Sequence, residues 1–163
     1  EGNVPIIEKE NFKEGFLGGY ESHDEVAFWK HIALFLQYVD PNDIDRDLES
    51  GKLKYGDIND AIAKIDPWQI AEDWATIEKR TQQALREVAK EELAKGSENI
   101  LIVSHAMAIA AMLLSLGGDK LFTKPLDNAA VCKVTYQNGE FTVESMADMS
   151  YVEKGKLMIG VEV

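Results

Sequence analysis

The segment Asn99 to Gly117 carries the residue best suited to chemistry. Its sequence predicts a buried strand over Asn99–Ser104, a sharp turn at His105 and an apolar helix over Met107–Leu116. A histidine at the carboxyl end of such a strand leaves the sheet beside the free backbone N–H groups that open the next helix. That is where open α/β sheets bind anions. Ser104 and Ala106 are small, so a ligand can come close to the backbone, and both join His105 as candidate ligand-binding residues. A neutral imidazole can take up charge as a phosphoryl group leaves, and a protonated one can stabilise the anion. The competing reading is a hydrogen-bonded turn histidine.

Glu14 is the second candidate. It lies in Phe12-Lys-Glu-Gly-Phe-Leu-Gly-Gly-Tyr-Glu-Ser22, a glycine-rich loop with apolar residues on both sides. Partial desolvation raises the pKa of a carboxyl group in such a setting and suits it to donate a proton to a leaving alkoxide. The competing reading is a solvated glutamate, one of 29 acidic residues. Tyr20, in the same loop, is a candidate substrate contact. His23 and His31 have no strand before them and no arginine beside them, and read as structural or solvated. Three scattered histidines and the single Cys132 give no metal-ligand spacing, so no metal is expected. Cys132 itself reads as a small apolar residue in a strand, with no disulfide to form and a reducing, cytoplasmic setting favoured.

The elements that would position these groups follow from pattern. Val4–Ile7 is a short strand candidate. Ser22 and Glu25 fit a capping box ahead of a helix with a stripe of Val26, Trp29, Ile32, Ala33, Leu36 and Val39. Residues 40–57 are polar and irregular, a short helix fits 57–65, and the whole of 40–66 reads as a lid or insertion. Asp66-Pro67 predicts the start of a long helix, with Pro at its first position and Lys95-Gly96 at its end. Asn138-Gly139 between two strand-like runs, Ala130–Tyr136 and Phe141–Ser145, is a hairpin signal. Residues 154–163 fit an extra strand or a docked extension.

The net charge is −12, with 17 basic against 29 acidic residues and no basic patch, which argues against a nucleic-acid partner. No apolar run is long enough for a membrane span. The 163 residues read as one domain.

Val103-Ser104-His105-Ala106 before an apolar helix resembles the second histidine motif of the histidine phosphatase superfamily, the phosphoglycerate mutase-like proteins. The Phe12–Ser22 stretch resembles the acid-bearing segment of that family, and Pro125-Leu-Asp-Asn-Ala-Ala-Val131 the segment leading into its last strands. The likeness extends in order over residues 1 to about 152. It implies a three-layer α/β sandwich with a mostly parallel sheet. It also implies a phosphohistidine mechanism without metal or organic cofactor, with Glu14 as proton donor and His105 in the phosphate pocket.

The sequence departs from the family in one decisive respect. The Arg-His-Gly motif that carries the nucleophilic histidine is absent, and no arginine precedes Glu14. The chain starts without Met, and the reading is a C-terminal portion of a longer enzyme whose first strands and nucleophile lie upstream. The alternative is a natural remnant. The expected activity is phosphomonoester hydrolysis on a small phosphorylated substrate, with the missing N-terminal segment of the same protein as partner and a homodimer possible. The alternatives are mutase-type phosphotransfer, a noncatalytic phospho-ligand binder of the same fold, and a helical interaction module.

Overall fold

The computed structural model describes residues 5–21, 23–97, 99–122 and 124–158. In chain order it contains α1 (Glu25–Phe35), α2 (Asn42–Glu49), α3 (Tyr55–Ile65), α4 (Trp74–Ala94), α5 (Ala106–Leu113), the strands β1 (Val131–Gln137) and β2 (Glu140–Asp148), and α6 (Ser150–Met158). Two single turns of 3-10 helix, Glu10–Phe12 and Gly18–Tyr20, shape the loop that carries Glu14.

Local chemistry explains most boundaries. The side chain of Asp24 accepts the Ala27 N–H and opens α1; the expected cap, Ser22, lies outside the described residues. Ile32 and Ala33 of the expected stripe are buried, whereas Val26 and Val39 face water. The 40–57 stretch is not irregular: Asn42–Glu49 is helical, with Asp43 and Asp45 in its first turn and Ile44 turned inward. Acidic side chains beside free N–H groups favour such a start. The long helix begins at Trp74, not at Pro67, because Asp73 caps it by accepting the Thr76 N–H, and Asp66 is committed to a turn described below.

Two cores result. One gathers Leu85 and Val88 of α4, Met112 and Leu113 of α5, Val143 and Met146 of β2, and Phe12 from the Glu14 loop. The other gathers Ile32, Ile44, Ile58 and Ile62 from α1, α2 and α3 around Tyr20. The polar 40–66 region thus supplies much of the second core.

The sheet is where expectation and structure part. Among the described residues the only ladder is the antiparallel pair β1–β2, closed by Asn138 and Gly139, both at positive φ as a type I′ turn requires. A three-layer sandwich around a mostly parallel sheet is therefore not what these residues form. Asn99–Ser104 is not buried and joins no ladder; Leu101 is 87% and Val103 83% exposed. An apolar segment becomes a strand only with a neighbour to take its N–H and C=O groups, and none stands beside it among the described residues. Residues 5–9 likewise form no strand, and Val4 lies outside the described residues. The tail forms α6 as far as Met158.

Candidate active site

The two chemistry-bearing stretches meet. The Ser104 hydroxyl donates to the Phe12 carbonyl at 2.6 Å, and the Ala108 N–H donates to Glu14 Oε1 at 3.0 Å. The same oxygen accepts the Gly15 N–H at 2.9 Å. His105 is the N-cap of α5 in extended backbone conformation, and its imidazole is exposed. The Glu14 carboxylate thus sits at the amino end of α5, where the helix dipole and free N–H groups favour negative charge. The N–H groups of Ala106 and Met107, in the same turn, have no hydrogen-bond partner among the described residues. A phosphoryl group at this corner would find donors, an imidazole and a carboxyl group together.

Arg80 holds the Glu14 loop from below, a role no local pattern announced. Its guanidinium donates to the carbonyls of Asn11, Lys13 and Glu14, each at 2.9 Å. Its remaining donors meet both carboxylate oxygens of Glu72, at 2.7 and 2.8 Å. Glu72 in turn accepts the Phe16 N–H at 3.0 Å and donates its own N–H to the Phe16 carbonyl. Both side chains are mostly buried. Burial pushes the Glu72 carboxyl up, but the bonds from Arg80 and the Phe16 N–H outweigh it and leave the pKa below its ordinary value. Below the loop, Ile77 and the buried Asn59 press on Gly15. A Cβ there would lie 2.7 Å from Ile77 Cδ1, so any larger residue would force the Ile77 side chain to shift.

The far half of the loop is held by Asp66. Its carboxylate accepts the N–H groups of Gly19, Trp68, Ile70 and Ala71 at 2.7 to 3.1 Å. Burial acts to raise its pKa, and these four bonds overcome it and hold the value at about 2. Gly18, at φ +63°, passes so close that a Cβ would clash with this carboxylate. A folded-state pKa below the unfolded one contributes stability above about pH 4, lost as pH falls through the folded value. Asp66→Asn should therefore lower the melting temperature at pH 7 and flatten its fall between about pH 4 and 2. Thermal melts across that range check this, and parallel curves for the two proteins would refute the assignment.

Tyr20 is placed elsewhere. Its ring lies in the second core, 5.2 Å from the His23 ring and 6.0 Å from that of His31, and its hydroxyl donates to the Ile65 carbonyl. No hydrogen bond joins it to residues 104–106 among the described residues. Cys132 lies in β1, half-buried, and burial pushes its thiol pKa up. Among the described residues no three His, Cys, Asp or Glu side chains gather as a metal site, and no helix is long and apolar enough to cross a membrane.

The profile of the histidine phosphatase superfamily (branch 1) matches residues 1–149. The chain belongs to that superfamily. It also matches the crystal structure of phosphoglycerate mutase from Bacillus anthracis str. Sterne, with a TM-score of 0.82 and 30% identity over 94% of this chain. The fold is accordingly of the phosphoglycerate mutase-like α/β type. The match covers 64% of that mutase, so the chain spans less than two thirds of its length. No curated protein sequence matches the chain.

Proposed function

We propose that this chain is part of a phosphomonoester hydrolase that works through a phosphohistidine, with the nucleophilic histidine supplied by a segment upstream of Glu1. The observation that carries the reading is the contact of the Glu14 carboxylate with the amino end of α5, directly after His105. A phosphoryl group seated there would accept the N–H groups of Ala106 and Met107 and the imidazole of His105, with Ser104 fixing the turn to the Glu14 loop. Glu14 would give a proton to the leaving alkoxide as the P–O bond breaks, and would then take one from the water that resolves the phosphohistidine. Residues 40–66 would form the wall that selects the substrate, since α3 from this region lies directly beneath Gly15. The chain alone, lacking the nucleophile, would be inactive. The lone cysteine suits a reducing, cytoplasmic setting.

Phosphotransfer between two positions of one substrate, as in a mutase, is the second reading, favoured by the likeness to a phosphoglycerate mutase. The longer protein, assayed on a panel of small phosphate monoesters, separates them. Inorganic phosphate released with loss of the monoester supports the hydrolase; conversion of one positional isomer of phosphoglycerate into another without phosphate release supports the mutase. Saturable binding of phosphorylated compounds with neither product would replace both by a noncatalytic binder. Wild-type turnover in His105→Ala would remove His105 from the site.

A further inference from the structure

Among the described residues the buried polar side chains are Asp47, Asn59, Asp66 and Thr81. The fold answers three of them. Asp47 accepts from the Tyr38 hydroxyl and from Lys52, Asp66 holds its converging N–H groups, and the Thr81 hydroxyl donates to the Ile77 carbonyl. Asn59 is the exception. It is 2% exposed, and its Oδ1 has no hydrogen-bond partner among the described residues. A buried carbonyl oxygen without a donor works against the fold. Asparagine is also a weaker helix former than leucine or alanine, and position 59 lies inside α3. Its neighbours in that helix, Ile58, Ala61 and Ile62, are buried and apolar. Packing alone would favour an apolar residue here.

The amide lies beneath the Glu14 loop. Its Nδ2 is 3.5 Å from where a Cβ of Gly15 would stand, and is the nearer end of the amide to that point. Asn59 thus turns the positive end of its dipole to the Glu14–Gly15 turn and its unanswered oxygen away from it. The loop backbone has other holders. Arg80 takes the carbonyls of Asn11, Lys13 and Glu14, and Glu72 pairs with Phe16 in both directions. The Glu14 carboxyl is a different matter. It is fixed through Oε1, by the N–H groups of Gly15 and Ala108. Both donors belong to Asn59's surroundings: Gly15 lies over it, and Ala108 is on α5, which packs against α3. A fixed dipole with its positive end toward a carboxylate favours that charge without having to reorganise, most of all where water is excluded.

We propose that Asn59 is a positioning residue for Glu14. Its amide, held beneath Gly15, steadies the carboxylate on the N–H groups of Gly15 and Ala108. It also favours the charge that the carboxyl takes on as its proton leaves. This role rests on the proposed function, in which Glu14 is the acid. The polar side chain is kept for the reaction, at some loss of stability.

The test replaces Asn59 in the longer protein by Leu, which keeps the branched shape, and separately by Ala, which removes the amide without crowding Ile77. At least one variant should melt at or above the wild-type temperature. In both, the Gly15 and Ala108 amides should exchange about threefold faster or more, although the fold as a whole is not loosened. On alkyl phosphates kcat/KM should fall about three- to tenfold, the scale of coupling between neighbouring residues, and on nitrophenyl phosphate it should stay near the wild type. In a Glu14→Gln background the Asn59 substitutions should add nothing, because the acid they act through is gone. Both variants melting well below the wild type would show that Asn59 serves the fold, and would overturn the proposal. Unchanged exchange at Gly15 and Ala108, or an equal loss on both substrates, would overturn it too. Failure of the proposed function has another signature. A wild type that turns over no monoester removes the acid, and the exchange of Gly15 and Ala108 still decides whether Asn59 positions Glu14.

Discussion

Arg80→Ala should lower the melting temperature of the chain at pH 7 by about 10 °C, the shift for about 3–5 kcal/mol lost when one partner of a buried ion pair is removed. The size follows from what remains after the guanidinium is cut away. Glu72 keeps its burial but loses two charge-assisted bonds, and the carbonyls of Asn11, Lys13 and Glu14 lose their common donor. Arg80→Lys should recover only a small part, because an ammonium has no planar fork to serve a carboxylate and three carbonyls at once. The pH dependence identifies the pair. In the wild type the Glu72 carboxyl titrates below its ordinary value, so its contribution is complete above about pH 4.3 and is lost as pH falls through the folded value. In Arg80→Ala burial is opposed chiefly by the Phe16 N–H bond, the carboxyl should titrate above its wild-type value, and most of that contribution is lost. The gap between the two melting temperatures should therefore close as pH falls below about 4. A gap that persists unchanged to pH 3 would mean that Arg80 acts by packing alone. Hydrogen exchange supplies a second reading, since the Phe16 amide, bonded to Glu72, should lose protection with the pair.

What the sequence disclosed and what it hid divide along a physical line. The hairpin was legible because its cause is local: Asn138-Gly139 can take the two positive φ values, and few other pairs can do so at so little cost. The helix after His105 was legible for the same reason, and the order of the Glu14 and His105 stretches carried the family. Asp66-Pro67 does not by itself place the start of α4, because Asp-Pro is compatible with a helix start and with a turn. The choice was made by four backbone N–H groups converging on Asp66, one of them from Gly19. The polar 40–57 stretch hid a helix because its inward residues, Ile44 and Leu48 with the charged Asp47 buried between them, are too few and too mixed to give a readable apolar period. Arg80 and Glu72 sit far from Glu14 in the chain and carry no motif. Their role exists only once α4 is laid beside the loop. The strand expected at Asn99–Ser104 is the instructive case. Its composition is that of a buried strand, and its present exposure reports on a neighbour and not on itself, because strand formation is a property of pairs.

Glu14→Gln should leave the fold almost untouched while reducing kcat of the proposed longer, nucleophile-bearing enzyme on alkyl phosphates by about 10²–10⁴-fold, the range for losing a general acid. The contrast arises because, in the proposed mechanism, the carboxylate does two separable things. As an acceptor it receives the N–H groups of Gly15 and Ala108 on one oxygen, and a glutamine carbonyl oxygen can receive the same two. As an acid it must release a proton to the departing oxygen, and an amide cannot. The melting temperature should therefore stay within about 3 °C of the wild type, in line with exchanging one charged acceptor for a neutral one. The leaving group provides the discriminating readout. An alkoxide needs its proton in the transition state, whereas a nitrophenolate departs readily without one, so the variant's kcat/KM, which reports formation of the phosphohistidine and not its hydrolysis, should approach the wild type on nitrophenyl phosphate and fall away as leaving-group pKa rises. An equal loss on both substrates would show that Glu14 positions the phosphoryl group and donates no proton. A loss matched by a large drop in melting temperature would make it a cap for α5 and nothing more. His105→Ala should give the complementary profile: in the proposed site its imidazole would hold the phosphoryl oxygens whatever the leaving group, so the loss should be the same for good and poor leaving groups.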